Sequence, residues 1–196
     1  MTVEEIRPDA SDSDCVTLAR RPYHCGANLQ SALASFQTTT TMTLSDQDRE
    51  AIIKAAFEAK EFSYSPYSKF RVGAAFLTAD GSIVKGANIE NASYGGTICA
   101  ERTAIVKAVS EGIKSFAALA VVTDVPSTIS PCGMCRQVIR EFCGLDMPIL
   151  LVPSNYPNNE KEGKEGYSKG GVRLTSVDEL LPDSFGPEQL ELPRIP

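Results

Sequence analysis

Three thiols and one carboxylate, carried by two short segments, constrain this chain more than any other feature. The segments are Cys99-Ala100-Glu101 and Pro131-Cys132-Gly133-Met134-Cys135. A C-x-x-C pair at a helix start puts two sulfurs within reach of one ion. A third cysteine from another helix start then leaves a tetrahedral zinc with one open position. Water at an open corner can be activated, which separates a catalytic zinc from a structural one. Glu101, two residues past Cys99, can approach that corner without being a ligand. A closed site would need a fourth ligand, for which Cys143 is the nearest candidate. Eight residues along the same helix is about 12 Å at 1.5 Å per residue, too far to share an ion with Cys135.

Local sequence supports both helix starts. Ser130-Pro131 reads as an N-cap followed by proline in the first turn. Val138, Ile139 and Phe142 continue an apolar face, and Gly144 ends it. After Cys99, residues Ala100, Ala104, Ile105, Ala108 and Val109 recur at helical spacing, with Gly112 as the stop. Both cysteine groups then sit at positive helix ends, which favour the thiolate that a metal requires.

The remaining chain divides in two. Residues 1–42 show no steady period and read as a mostly disordered N-terminal extension, with a short helix over Leu29 to Phe36 left open. The single histidine, His24, falls there beside Cys25 and Cys15, and reads as a tail residue without partners. Residues 43–196 form the domain. Ser45 caps a helix running to about Phe62. Val72–Leu77 and Ile83–Ile89 are two strands joined by the Asp80-Gly81 turn. Ala117–Val122, Pro148–Val152 and Val172–Thr175 supply three more, followed by a short helix at Val177–Leu181. The polar, glycine-rich stretch 154–171 reads as a loop. This order gives an α/β fold with a mixed five-stranded sheet and helices on its faces.

Charge narrows the partners. With 19 basic and 25 acidic residues the net charge is −6, which argues against a general basic surface for nucleic acid or anionic membrane and suits a neutral small substrate. No run is apolar enough to span a bilayer. The acidic N-terminus (Glu4, Glu5, Asp9, Asp12, Asp14) lacks the apolar core of a signal peptide. Six cysteines in such a chain are expected to be thiols and ligands, in a cytoplasmic setting.

Cysteines at these spacings with an adjacent glutamate are the signature of zinc-dependent base deaminases in its three-cysteine form. Beyond that signature, the chain resembles the small homotetrameric cytidine deaminases. The segments concerned are Tyr67-Ser68-Lys69-Phe70, Asn88-Ile89-Glu90-Asn91-Ala92, Cys99 to Ala104, Ser130 to Gln137 and Glu179-Leu180-Leu181-Pro182, within a match from about Leu44 to about Leu190. The resemblance implies a three-layer α/β/α fold and zinc-dependent hydrolytic deamination of cytidine and 2′-deoxycytidine in pyrimidine salvage. Cys99, Cys132 and Cys135 would be the zinc ligands and Glu101 the proton shuttle. Arg102 would donate hydrogen bonds to ligand sulfurs. Asn88 and Glu90, alternating along a strand, would hold the ribose 3′-hydroxyl. Phe70 would lie beside the base, with Tyr67 and Ala100 also contributing to the pocket. Phe185 resembles the aromatic that enters a neighbouring subunit's pocket, which implies a homotetramer. Arg71 and Gly95-Gly96-Thr97 depart from the pattern, and 154–171 looks like an insertion. The residues leave three other readings open: a relative acting on another aminopyrimidine nucleoside, a nucleic-acid-editing deaminase disfavoured by the acidic balance, and a zinc-stabilised binding module. The last needs four protein ligands and no Glu101.

Overall fold

A computed structural model describes residues 44–195. The extension over residues 1–42, with its open helix at 29–36 and with Cys15, His24 and Cys25, lies outside the described residues. The first helix, α1 (Asp46–Lys60), starts as the sequence implies, with the Ser45 hydroxyl accepting from the Asp48 amide at 3.0 Å. The hairpin β1 (Val72–Thr78) and β2 (Ile83–Ala87) follows, turned by Gly81 at φ 86°. Then come α2 (Ala100–Ser110), β3 (Phe116–Thr123), α3 (Gly133–Phe142), β4 (Pro148–Val152), β5 (Tyr167–Ser168), β6 (Val172–Ser176), α4 (Val177–Leu180) and α5 (Pro187–Leu190).

The strands form one mixed sheet in the order β2-β1-β3-β4-β6-β5. It has six strands, one more than the five expected. The added one, β5, lies inside the 154–171 stretch and pairs Tyr167 with Arg173 and Ser168 with Val172. That stretch is therefore not simply a loop. Arg49 in the first turn of α1 ties it down by donating to the Lys169 carbonyl at 2.6 Å and to the Tyr156 hydroxyl at 3.1 Å.

Side chains alternate across the sheet, as period-two geometry requires. Phe76, Leu119, Val121, Ile149 and Leu151 pack with Ala104, Ile105 and Ile139 of α2 and α3. Leu77, Ala120, Val122, Leu150 and Val152 pack with Ile52, Ile53 and Ala56 of α1. The result is three layers, α/β/α. Two glycines let helices sit directly on strands. A methyl on Gly73 would stand 2.1 Å from the Ala56 carbonyl oxygen, and one on Gly86 would stand 2.4 Å from that of Ala100.

This topology brings the motifs together. Strand β2 is antiparallel to β1, and β1 to β3, so β2 and β3 run the same way. Helices α2 and α3, which follow β2 and β3, therefore both begin at the carboxyl edge of the sheet, where open α/β folds place their ligands. The two helices also pack against each other.

An ion cluster pins that edge. Asp124, just past β3, accepts from the Arg71 amide at 2.9 Å, from its Nε at 3.1 Å and from its Nη2 at 3.0 Å. Lys60, buried, reaches the same carboxylate at 3.3 Å and the Thr123 carbonyl at 3.2 Å. Burial raises the Asp124 pKa, but the hydrogen bonds from Arg71 outweigh it and hold the carboxyl below the usual range. Its contribution to stability is therefore full above about pH 4 and lost as acid protonates it below that. Asp124→Asn strands a buried cation and is expected to cost about 2–3 kcal/mol in urea denaturation at neutral pH. Lys60→Met, which leaves Asp124 paired with Arg71, is expected to cost less. Equal costs for the two would contradict this ranking.

Candidate active site

Cys99 is the N-cap residue of α2, and Glu101 lies in that helix's first turn. Cys132 is the N-cap residue of α3, which begins at Gly133. The helix thus starts two residues later than the Ser130-Pro131 signature implied. Arg136 of α3 donates its Nε to the Pro131 carbonyl at 2.7 Å, fixing that proline outside the helix, and the Ser130 side chain is left to line a cavity. Cys143 caps the far end of α3 and takes no part in the sulfur group.

The ligand atoms of Cys99, Cys132 and Cys135 all lie within 4.8 Å of one another. Cys99 Sγ is 3.8 Å from Cys132 Sγ, which is 3.5 Å from Cys135 Sγ. A tetrahedral ion with bonds of about 2.3 Å sets its sulfurs about 3.8 Å apart, so this spacing fits zinc. Glu101 is buried, 4% exposed, and its Oε2 lies 3.5 Å from Cys135 Sγ. Burial is the main reason that its pKa is raised. The Cys99 thiol is brought down to about 5, chiefly by a hydrogen bond from Cys135, with burial opposing and Arg102 assisting. Arg102 Nη2 contacts Cys99 Sγ at 3.9 Å and donates to the Thr97 carbonyl at 3.2 Å. Its Nε is buried with no partner, a donor aimed at no protein group. Arg102 thus sets a positive charge against the Cys99 sulfur.

A cavity of about 200 Å³ opens over Glu101, Cys99 and Cys132, walled by Phe70, Val72, Asn88, Val121, Thr123 and Ile129. A second, of about 410 Å³, is lined by Tyr67, Ser68, Glu90, Tyr94 and Thr97, and Thr97 lines both.

A family profile described as "Cytidine and deoxycytidylate deaminase zinc-binding region" matches residues 46–150. The chain belongs to the cytidine and deoxycytidylate deaminase family. Among its relatives, a cytidine deaminase of Halalkalibacterium halodurans is 47% identical over 143 residues, 73% of this chain and 98% of that protein. One of Sporosarcina psychrophila is 49% identical over 143 residues, covering 73% and 95%. Among solved structures, a cytidine deaminase from Burkholderia pseudomallei aligns with a TM-score of 0.60 at 43% identity, over 69% of this chain and 98% of that one. Zinc is the deaminase's cofactor, in keeping with the family's zinc-binding region and the three-thiol group.

The structure brings Asn88, Phe70, Glu101, Cys99 and Cys132 to one cavity, with Cys135 buried beside them, and Tyr67 and Glu90 to the other. Strand β2 stops at Ala87, short of the expected Ile89, so Asn88 and Glu90 lie beyond it, held by Ile89 bridging to Tyr64 and Ile98. Ala100 is fully buried at the start of α2. Phe185 lines neither cavity. It is 57% exposed, and Gln137 Nε2 holds its carbonyl at 2.9 Å. Thr97, Thr123 and Ile129 were not foreseen as lining residues. Their signal was position, two residues before Cys99, at the end of β3 and three before Cys132.

Proposed function

We infer that this deaminase hydrolyses cytidine and 2′-deoxycytidine to uridine and 2′-deoxyuridine with release of ammonia, as pyrimidine salvage requires. One observation carries the reading: a buried carboxylate stands beside three convergent thiols at the floor of an open cavity. Bound zinc, held by Cys99, Cys132 and Cys135, would acidify water and so make a nucleophile available at neutral pH. Glu101 takes the proton from the attacking water and delivers it to N3 as oxygen adds to C4 of the pyrimidine. Glu101 then takes the proton of the new C4 hydroxyl and gives it to the exocyclic amine, so that the C4–N bond breaks and ammonia leaves as the C4 carbonyl forms. The raised proton affinity of buried Glu101 suits both directions of transfer.

The two cavities, which share Thr97, support the other roles. Phe70 gives the base an apolar wall. The Asn88 amide and the ionised Glu90 carboxylate suit one ribose hydroxyl that accepts from the first and donates to the second. Glu90 Oε2 already accepts from the amides of Tyr67 at 2.8 Å and Ser68 at 3.2 Å, which fixes its direction. Exposed Phe185, Tyr94, Tyr64 and Phe62 support a homotetramer in which Phe185 completes a neighbour's pocket. Among the described residues no helix is long and apolar enough to cross a membrane. Thiols that must stay reduced suit a cytoplasmic setting.

Absorbance of cytidine tests the reaction. Zinc-loaded protein is expected to consume cytidine, to stop after chelation and to resume when zinc is returned. Turnover indifferent to the chelator would contradict the reading.

A further inference from the structure

The Asn88 side chain is buried, and nearly all of its hydrogen-bonding capacity is taken. Its Oδ1 accepts from the Val72 amide at 2.8 Å and from the Ser63 hydroxyl at 2.5 Å. Its Nδ2 donates to the Phe70 carbonyl at 2.9 Å. An amide has two acceptor lone pairs and two donor protons, so only one Nδ2 proton remains for a substrate. Flipping the amide would set Nδ2 against the Val72 amide and Oδ1 against the Phe70 carbonyl, so the orientation is single.

Ser63 supplies the contact that closes the second lone pair. The residue sits just past α1, where its amide bonds the Lys60 carbonyl at 3.1 Å, and so arrives from a different element than Asn88. A hydroxyl has one proton. The short contact to Asn88 uses it, and Ser65 Oγ, 3.2 Å away, can donate back into Ser63.

We propose that Ser63 is a positioning residue that makes Asn88 a one-way donor toward the substrate, and so sharpens selection for a nucleoside bearing a 3′-hydroxyl. This rests on the reading that Asn88 and Glu90 grip that hydroxyl. Without the Ser63 hydroxyl, Oδ1 regains a free lone pair that water can solvate. The amide then loses one of its anchors, and a donor held less rigidly reads its partner less well.

The test compares kcat/KM for 2′-deoxycytidine and 2′,3′-dideoxycytidine, which differ only in the 3′-hydroxyl, in the zinc-loaded enzyme. Wild type is expected to prefer 2′-deoxycytidine. Ser63→Ala is expected to lower that preference about fivefold, through a higher KM for 2′-deoxycytidine with little change in kcat, the size of one net hydrogen bond. Ser63→Thr, which keeps a hydroxyl, is expected to restore it. If Ser63→Ala lowers both substrates equally, or leaves the preference intact, Ser63 has no such role while the Asn88–Glu90 grip stands. If wild type shows no preference, the grip itself fails, and the role of Ser63 with it.

Discussion

Glu101→Gln is expected to keep zinc at one ion per chain while kcat/KM for cytidine falls about a thousand- to ten-thousand-fold, the range for losing a general acid–base. The substitution is nearly isosteric, and Cys99, Cys132 and Cys135 are untouched. What disappears is the ability to take a proton and give it back. Because Glu101 is 4% exposed, little room exists for a substitute carrier from bulk water. Zinc analysis beside steady-state kinetics checks both halves. Activity within tenfold of wild type would remove Glu101 from the mechanism, and loss of zinc would make it a structural residue.

The second large effect is expected far from any reacting atom. Gly86→Ala would place a methyl 2.4 Å from the Ala100 carbonyl oxygen, 2.5 Å from the Ala104 nitrogen and 2.9 Å from its Cα. All three are backbone atoms of α2, so no side chain can turn aside and the helix itself must move. Overpacking of this kind costs about 1–3 kcal/mol, and more where backbone must yield. Helix α2 carries Cys99 at its cap and Glu101 in its first turn, and misplacing reacting groups by about 1 Å can cost a hundredfold. The variant is therefore expected to melt lower, to release zinc more readily and to lose at least about a hundredfold in kcat/KM. Gly95→Ala, whose added methyl meets nothing within 4 Å, is the control and is expected to stay near wild type. Wild-type kinetics in Gly86→Ala would show that the close helix–strand seat does not position the site.

These two residues also mark what a sequence can and cannot disclose. The place of Glu101 beside the thiols was legible because its signal is local, an offset of two from Cys99. Gly86 was not, since its role comes from Ala100 and Ala104, which only the folded chain brings against β2. The same division runs through the rest. Periodicity gave α1, α2 and the first strands to within a few residues, because burial on one face writes itself into neighbouring positions. The start of α3 was misplaced because Ser130-Pro131 carries a capping signature, while the residue in the cap place is Cys132, which forms no side-chain cap bond. Strand β5 is two residues long and owes its existence to pairing with β6, so nothing in its own sequence announced it. Ser63 was invisible for the same reason: its partner Asn88 lies twenty-five residues away.

X-ray absorption at the zinc edge tests the central claim most directly. The zinc-loaded chain is expected to show three sulfur neighbours at about 2.3 Å and one oxygen or nitrogen neighbour at about 2.0 Å. Buried Cys143, whose thiol pKa is pushed up to about 12 by burial, should not contribute. Four sulfur neighbours, with no lighter atom, would mean a closed structural site and would contradict catalysis at this metal.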